Sequence, residues 1–555
     1  MSTAATSQTK YAGPVWRGVD YSPTWPTWVV GAGATQTGDS DFANDAFQSL
    51  WAGAYMAAPS GDTSAPTDNG TNYRNDLQTI ADAGFNLVRL YNWDMARGTT
   101  STSNVGLDHI NFLNTAASLG LKVVVPVSDW FLSDDASAWN FTPATIPANY
   151  DFTNAPVAIQ TDFNQFVASI TDPATGKIHA AVHSIDVGNE GDIGQGLNGQ
   201  TTPSYFLYRT IWWIVNLHQQ INGSSPGPDG SAVVNGPTPV VPLTATFSNG
   251  DQGLNIGSWF NCLIAGVAAD QATPTNMDGN TSFAAAVTGL KAADPTFAQY
   301  YYNSTNISQV STVTPFGNSL AATMALYDSG ASPWPGADCT VPLLLMELFT
   351  PNRTVFPAPT DQAVAAVGQV TDLETYLAQH RAGTSNSSTY LMGYNYFEFN
   401  DEQQVKLTGL YQYGTSFVQA ATGTTSVFYS PYQFSNMDFP VYSPLSATPG
   451  PTGSGTLVDA LTQCMPGPHG VQGSIVAVFG EQGHWQATFY TGSPIPSWVT
   501  TGMSVRGVNI PAGTTVNLPT PSPAPVDMTV VLVCSGSQTS NPFKKTDKTV
   551  TLSFH

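Results

Sequence analysis

The sequence predicts an α/β fold, a (β/α)8 TIM barrel with long loop insertions, followed by a small C-terminal all-β domain. Before residue 434, short apolar segments alternate with helical segments eight times, which is typical of a parallel sheet covered by helices. Beyond residue 456, alternating strands separated by turn residues replace this pattern. An open, doubly wound sheet is the alternative for the first part, although no glycine-rich phosphate loop follows an early strand.

The first four strands are predicted from short, nearly continuous apolar runs that end in polar or turn residues. They cover residues 15–21, 85–91, 121–127 and 184–187. Helical spacing of apolar residues lies between them, at residues 73–83, 110–119 and 163–170. Gly84 and Gly120 follow the first two helices, where a glycine commonly ends a helix.

The second half of the barrel repeats this alternation. The predicted strands are residues 240–247, 297–302, 341–346 and 390–397. The predicted helices are residues 205–219, 259–268, 319–327 and 362–380. Eight β/α units within about 430 residues indicate a closed barrel that carries long insertions.

Three segments are predicted from these patterns. Residues 1–434 form the barrel, residues 435–455 form a linker rich in proline and glycine, and residues 456–555 form the β domain. The β domain is either a carbohydrate-binding module or a structural cap on the barrel.

Composition limits the possible partners. The chain has 555 residues, 41% of them hydrophobic, so it can bury a large core. A net charge of −22 would repel nucleic acid, whereas a neutral glycan fits this charge and the 11% aromatic content. No run reaches transmembrane length, and the first ten residues lack the apolar core of a signal peptide. Only 10% of residues are charged, which favours an extracellular or periplasmic location.

The four cysteines do not form a metal-binding motif. Cys262, Cys339, Cys464 and Cys534 lie far apart, and the histidines are scattered. We therefore predict neither a metal site nor a cofactor. A bridge between Cys464 and Cys534 and four buried thiols are equally compatible with the sequence.

Two glutamates end apolar strands and are the candidate catalytic pair. Glu190 follows the fourth strand, and Glu347 follows the core of the seventh. Functional residues of α/β barrels lie at the carboxyl ends of the strands. Retaining glycoside hydrolysis needs two carboxyl groups about 5–5.5 Å apart, one as the acid and one as the nucleophile.

Neighbouring polar residues support this pair. Arg89, near the end of the second strand, is expected to reach Glu347 and keep it ionised. Asn189 is expected to hydrogen-bond the sugar 2-hydroxyl. Trp25, Trp28, Trp93 and Trp130 are candidates for an aromatic sugar-binding platform. Asp20, Asp94, Asp129 and Asp186 also lie near strand ends, and loop capping is the simpler interpretation for them.

Short motifs in the barrel segment resemble a known family. They read RGVDY at 17–21, VRLYNWD at 88–94, VGNE at 187–190, and YFEFNDE at 396–402 followed by GLY at 409–411. Together they resemble motifs of the fungal β-1,3-glucanosyltransferases of glycoside hydrolase family 72. The second and third are also similar to motifs of the family 17 β-1,3-glucanases. The family 72 cysteine framework is missing, and the residues around Glu347 differ from its usual pattern.

The resemblance implies membership of the retaining (β/α)8 enzymes of clan A. By this resemblance Glu190 is the acid/base, and Glu347 matches the nucleophile by position. Tyrosines line the site in family 72, which implies roles for Tyr21, Tyr91, and Tyr301 or Tyr302.

The sequence therefore predicts a retaining β-glucan-active hydrolase or transglycosylase that works through a glycosyl-enzyme. β-1,3-Glucan is the best substrate prediction, and β-1,2-, β-1,4- and β-1,6-glucans and mannans stay open. The alternative is a non-catalytic glycan-binding or structural surface protein on a barrel scaffold, since a fold does not imply a function.

Overall fold

The structure is a computed structural model, and it describes part of the chain. The described residues are 15–21, 54–55, 73–74, 76–91, 93, 107–127, 129–132, 139, 147, 149–190, 203–222, 241–247, 303–307, 343–349, 369–370, 372–377, 391–399, 411–413, 434–436, 438–442, 451–456, 471–481, 484–491, 501, 505–507, 510, 514–518, 529–535, 543 and 550–554.

Eight parallel strands close into a barrel, as the sequence predicts. They are β1 (Trp16–Asp20), β2 (Leu87–Arg89), β3 (Lys122–Val127), β4 (Val182–Asn189), β5 (Leu243–Phe247), β6 (Asn303–Ile307), β7 (Leu343–Phe349) and β8 (Leu391–Phe397). Each strand pairs with the next along the chain, and β8 pairs with β1. In β1, Val19 pairs with Val88 on one side and with Tyr396 on the other, which closes the ring.

The sixth strand differs from its prediction. The aromatic run at residues 297–302 predicted a strand, but that run lies outside the described residues. The strand is Asn303–Ile307, which pairs with β5 and with β7. Its position is decided by backbone pairing within the barrel, because the polar sequence NSTNI carries no strand pattern of its own.

Helices cover the barrel in the described part of the chain. They are α1 (Asp76–Asp82), α2 (Leu107–Ser118), α3 (Val157–Ser169) and α4 (Pro203–Asn222), with helical residues also at 369–370 and 372–377. Short 3-10 helices span Asp129–Leu132 and Phe152–Asn154. The predicted helices at 259–268 and 319–327 lie outside the described residues. Each of these four α-helices is too short or too polar to cross a membrane.

Glycine ends α2, as predicted, and turns the chain into β3. Gly120 has a φ of 73°, a left-handed conformation that side chains other than glycine rarely adopt. The N–H of Leu121 reaches back to the carbonyl of Ala116 at 2.9 Å, which is a typical helix-ending bond. The chain therefore leaves the helix within two residues of the next strand.

The two faces of β1 have different surroundings. Arg17 points towards the helices and forms a two-point ion pair with Glu374, at 2.6 and 2.8 Å. Gly18 and Asp20 face the barrel interior, where a side chain at Gly18 would overlap Asn395. Side chains alternate along a strand, so consecutive residues of β1 point in turn to the surrounding helices and to the barrel interior.

An antiparallel sheet follows the barrel, as the fold class predicts. Its strands are β9 (Val471–Glu481), β10 (His484–Tyr490), β11 (Val505–Gly507), β12 (Thr514–Asn517), β13 (Thr529–Ser535) and β14 (Val550–Phe554). Their order is β11-β14-β9-β10-β13-β12. The sheet has its own core, which includes Ile475, Phe489 and Leu532. Residues of α1 lie close to β11 and β14, so the sheet lies beside the barrel's first helix.

Part of the predicted linker contains strands. Asp438–Tyr442 pairs with Pro451–Thr456, and Tyr411–Tyr413 pairs with Phe434–Asn436. Two-residue strand pairs join Ala54–Tyr55 to Tyr73–Arg74 and Thr171–Asp172 to Lys177–Ile178. The predicted domain boundaries at residues 434 and 456 stay predictions. The bridge between Cys464 and Cys534 also stays a prediction, because Cys464 lies outside the described residues.

Candidate active site

Polar side chains from four strands meet inside the carboxyl-terminal end of the barrel. Asp20 and Arg89 are the last residues of β1 and β2, Asn189 is the last residue of β4, and Glu347 lies near the end of β7. All four strands run in the same direction, so their carboxyl ends form one edge of the barrel. This edge is where α/β barrels carry their functional residues.

Arg89 connects these strands. Its Nη1 donates to Oε1 of Glu347 at 2.9 Å, which is the contact expected from the sequence. Its Nη2 donates to Oδ1 of Asn189 at 2.7 Å and to Oδ2 of Asp186 at 3.4 Å. The side chain is 1% exposed. A rigid, planar guanidinium therefore fixes groups of β4 and β7 relative to each other.

A β-bulge places Glu347. Against β6, Leu345 pairs with Thr305 and Glu347 pairs with Asn306, so Met346 is an extra residue. The pairing with β8 also shifts between Leu345 and Leu348. A bulge redirects the side chains of a strand and is common at barrel rims. Here it allows an apolar strand to direct one carboxylate towards Arg89.

Two donors converge on one oxygen of Glu347. The Tyr91 hydroxyl donates to Oε1 at 2.8 Å, beside the bond from Arg89. The guanidinium of Arg89 lies over the Tyr91 ring, 4.4 Å from its centroid, and Phe397 meets that ring edge to face. Burial raises the pKa of Tyr91 well above its ordinary value, and the negative charge of Glu347 adds to this effect. Tyr91 therefore stays protonated and acts as a donor.

Glu190 leaves β4 with a left-handed backbone. Its φ is 49°, and the N–H donates to the carbonyl of Thr246 at 3.0 Å. A residue with a side chain adopts this conformation at a cost of about 1–2 kcal/mol. Gly188, two residues earlier, also has a positive φ, of 83°. The chain thus turns sharply at the end of β4, through two residues with positive φ, one of which is the candidate acid.

Asp186 anchors the network to β5. Its Oδ1 accepts the N–H of Thr246 at 3.0 Å, and its Oδ2 accepts the Thr246 hydroxyl at 2.7 Å. Burial raises the pKa of Asp186 above its ordinary value, while Arg89 and the two bonds from Thr246 act in the opposite direction. Asp186 is therefore an interior residue, and the loop-capping interpretation is wrong for it.

Two predicted substrate-binding aromatics lie away from the barrel mouth, which corrects those predictions. Tyr21 is 1% exposed and donates to Asp76 at the start of α1, at 2.8 Å. It points to the helices because Asp20, its neighbour, points into the barrel. Trp93 is fully buried against α2, stacked on His109 with ring centroids 4.1 Å apart, and its Nε1 donates to Ser169 of α3.

Other predicted residues cannot be placed at the site. Trp130 belongs to the 3-10 helix Asp129–Leu132. The remaining candidates lie outside the described residues, namely Trp25, Trp28, Asp94, Tyr301 and Tyr302. Their roles in substrate binding stay predictions.

Sequence reasoning missed Thr246 and gave too little weight to Asp20. Asp20 is fully buried, and its Oδ1 lies 3.7 Å from Nη1 of Arg89. The alternation of side chains along β1 could have identified it, because Asp20 points to the same face of the strand as Gly18 and to the face opposite Arg17. No comparable signal marked Thr246, since threonine is common in strands.

The comparisons with known proteins give distant likenesses only. No protein-family model matches the chain, and no curated protein matches it. A β-glucosidase from Exiguobacterium marinum is 9% identical, with a TM-score of 0.38, over 76% of this chain and 97% of that one. An exo-β-1,4-mannosidase from Opitutaceae bacterium strain TAV5 is 15% identical, with a TM-score of 0.29, over 72% and 55%. A family 30 subfamily 8 xylanase from Clostridium acetobutylicum is 10% identical, with a TM-score of 0.26, over 83% and 92%. At this identity and these scores, the likenesses carry no evidence on activity.

Proposed function

We propose that this protein is a clan A retaining glycoside hydrolase or transglycosylase that acts on β-glucans through a glycosyl-enzyme. Glu347 is the nucleophile and Glu190 is the acid/base. The observation that supports this best is the pair of contacts from Arg89, which joins Glu347 of β7 to Asn189, the neighbour of Glu190. One buried cation thereby links the ends of the two strands that carry the carboxyl groups.

The surroundings of Glu347 suit a nucleophile. It must attack carbon 1 as an anion, and both Arg89 and Tyr91 donate hydrogen bonds to its Oε1. Charge-assisted bonds of this kind are stronger than bonds between neutral groups. They also orient the carboxylate, because one oxygen is held by two donors from the β2 end.

Asn189 suits the recognition of a sugar hydroxyl. Its Oδ1 accepts from Arg89, so the amide is oriented with its N–H groups directed away from that bond. An N–H donor beside the proposed acid would bind the 2-hydroxyl of the sugar at the reacting position. Such a contact strengthens as the transition state forms.

The reaction then has two steps. Glu347 attacks carbon 1 while Glu190 protonates the departing glycosidic oxygen, which leaves a glycosyl ester on Glu347. Glu190, now a carboxylate, takes a proton from water or from an acceptor hydroxyl, and that oxygen displaces Glu347. Two inversions retain the anomeric configuration. Water gives hydrolysis, and a sugar acceptor gives transfer.

The substrate proposal is β-1,3-glucan, and the proposed location is outside the cytoplasm. A strongly anionic protein with few basic residues suits a neutral polysaccharide better than an anionic one. The C-terminal sheet, if it binds glycan, would hold the polymer near the barrel.

The test is incubation with a panel of linear β-glucan oligosaccharides that differ in linkage. Products are separated by length, and their anomeric configuration is read by proton NMR before mutarotation. We expect retention with the parent protein, and a loss of at least a thousandfold in rate for Glu190→Gln and Glu347→Gln. Asp172→Asn is the control, since Asp172 belongs to the separate two-stranded pair Thr171–Asp172 and Lys177–Ile178 and not to the barrel sheet. Inverted products, or equal rates for all four proteins, would contradict the proposal.

A further inference from the structure

Asp20 is a buried carboxyl group that the proposed reaction does not use. It ends β1, its side chain is fully buried, and it faces the barrel interior. Within the described part of the chain, neither of its carboxyl oxygens has a hydrogen-bond partner. Arg89 Nη1 lies 3.7 Å from Oδ1, which is beyond hydrogen-bond distance. An ionised Asp20 would thus have lost its water without gaining a donor at normal hydrogen-bond distance, and only the more distant Arg89 and Tyr91 favour its charged form.

The other two carboxyl groups around Arg89 are better stabilised. Asp186 accepts two bonds from Thr246 and one from Arg89. Glu347 accepts bonds from Arg89 and Tyr91. One guanidinium carries a single positive charge and cannot balance three anions. A buried carboxylate without donors is costly, so the proton resides most favourably on Asp20.

The groups that face Asp20 come from several strands. Arg89 and Tyr91 lie at the end of β2, and Glu347 lies on β7. Beyond Arg89 is Asp186 of β4. At the end of β8, Glu398 is buried, and the N–H of Phe399 donates to the backbone oxygen of Asp20. Burial raises the pKa of Asp20 well above its ordinary value, and Glu347 adds to this effect. Arg89 and, more weakly, Tyr91 oppose it.

We propose that Asp20 is a positioning residue that stays a neutral carboxylic acid in the working enzyme and so leaves the charge of Arg89 to Glu347. This inference rests on the proposed function. Nη1 of Arg89 lies 2.9 Å from Glu347 and 3.7 Å from Asp20, so the two carboxyl groups compete for the same nitrogen. An anionic Asp20 would draw Nη1 away from Glu347 and place a second negative charge beside it.

The first test measures folding and needs no substrate. Parent and Asp20→Asn proteins are unfolded in urea between pH 4 and 8. A native state that keeps a proton which the unfolded chain releases loses stability as pH rises. We expect the unfolding equilibrium constant of the parent, relative to the variant, to rise about tenfold per pH unit above about pH 4.

Asp172→Asn is the control, because the pH dependence of Asp172 lies outside this range. The Ala174 N–H and the Thr175 hydroxyl lower the pKa of Asp172, so the stability that its carboxylate contributes is lost only below about pH 4. We therefore expect a flat ratio for Asp172→Asn between pH 4 and 8. A flat ratio for Asp20→Asn, or a ratio that falls as pH rises, would overturn the proposal.

A second variant, Asp20→Leu, keeps the test possible if Asp20→Asn does not fold. Asp20→Leu keeps the branching at Cγ, with methyl groups in place of the two oxygens, and also removes the titrating group. A neutral acid without hydrogen bonds is replaceable by an apolar side chain, so we expect this variant to fold and to show the same pH trend. Loss of folding in both variants at every pH would overturn the proposal.

The activity profile separates this inference from the proposed function. On an oligosaccharide that the parent cleaves, we expect the acid limb of the pH–rate profile of Asp20→Asn to move by less than about 0.3 pH unit. Removing an anion beside Glu347 would instead move this limb to lower pH by a unit or more.

If no oligosaccharide is cleaved, the proposed function fails, and the folding test still decides whether Asp20 is neutral. If cleavage is present and the folding ratio is flat, this inference alone fails.

Discussion

Arg89 and Glu347 form a buried ion pair across the end of the barrel, with Nη1 2.9 Å from Oε1 and both side chains less than 5% exposed. The two residues lie 258 positions apart in the chain. A pair of this kind is a weak source of net stability, because both charges lose their hydration. Its value here is geometric, since it sets the direction of the carboxylate at the site.

Replacing Arg89 is expected to affect both folding and activity. Arg89→Met leaves Asp186 and Glu347 without their cation, and it should lower the free energy of unfolding by about 3–5 kcal/mol. Arg89→Lys keeps the charge but cannot serve Glu347 and Asn189 with two fixed nitrogens. We expect it to fold and to lose roughly a hundredfold in kcat/KM. Urea unfolding and steady-state kinetics measure the two effects.

Arg17→Met is the matched control for Arg89. Arg17 also forms a buried pair with Glu374, but on the helix side of β1. We expect a similar loss of unfolding free energy, about 3–5 kcal/mol, with kcat per folded molecule retained. Equal kinetic losses for the two arginines would contradict a special role for Arg89.

Tyr91→Phe removes one hydrogen bond and keeps the ring over Arg89. A bond to a charged group contributes about 1.5–3 kcal/mol, so the rate should fall roughly tenfold to a hundredfold. The loss should be larger in kcat than in KM if the bond orients the nucleophile for attack. Steady-state kinetics on a cleaved oligosaccharide would measure this split, and a change confined to KM would contradict it.

Because the backbone of Glu190 is strained, two substitutions that both remove its carboxyl group should differ in stability. Glycine adopts a φ near 49° without a penalty, whereas alanine does not. Glu190→Gly should therefore be more stable to urea than Glu190→Ala by about 1 kcal/mol, and both should be inactive. If alanine were the more stable residue, the left-handed turn would not exist in solution.

His183 is expected to make the protein acid-sensitive. Burial, with a smaller effect of Lys122, lowers its pKa from 6.5 to about 3. Below pH 6.5 the unfolded chain binds a proton that the native state does not, so stability falls as pH decreases towards 3. The slope in that window is about 1.4 kcal/mol per pH unit. His183→Gln should flatten urea stability measured against pH, and an unchanged slope would contradict this assignment.

Local patterns in the sequence were sufficient for much of the barrel. Val123, Val124 and Val125 form a continuous apolar run, and all three are fully buried in β3. Such a run needs apolar surroundings on both faces, which a parallel sheet under helices provides. The same local logic predicted that Glu190 and Glu347 end their strands, and that Gly84 and Gly120 follow helices.

Other features depend on contacts between distant segments. The polar strand Asn303–Ile307 exists because β5 and β7 pair with it on either side. Tyr21 and Trp93 were misassigned because their residue type suits sugar binding, while their direction depends on which face of the chain meets the helices.

The sequence by itself determined most of the alternation of strands and helices, and it placed the two glutamates at or near strand ends, because periodicity and turn chemistry act over a few residues. Only the tertiary structure decided that Asp20, Asp186 and Glu347 share one guanidinium, and that Asp20 has no donor of its own among the described residues. The physical reason is that charge balance in a buried site depends on distances across the barrel. Those distances are fixed by closure of the sheet and not by any single strand.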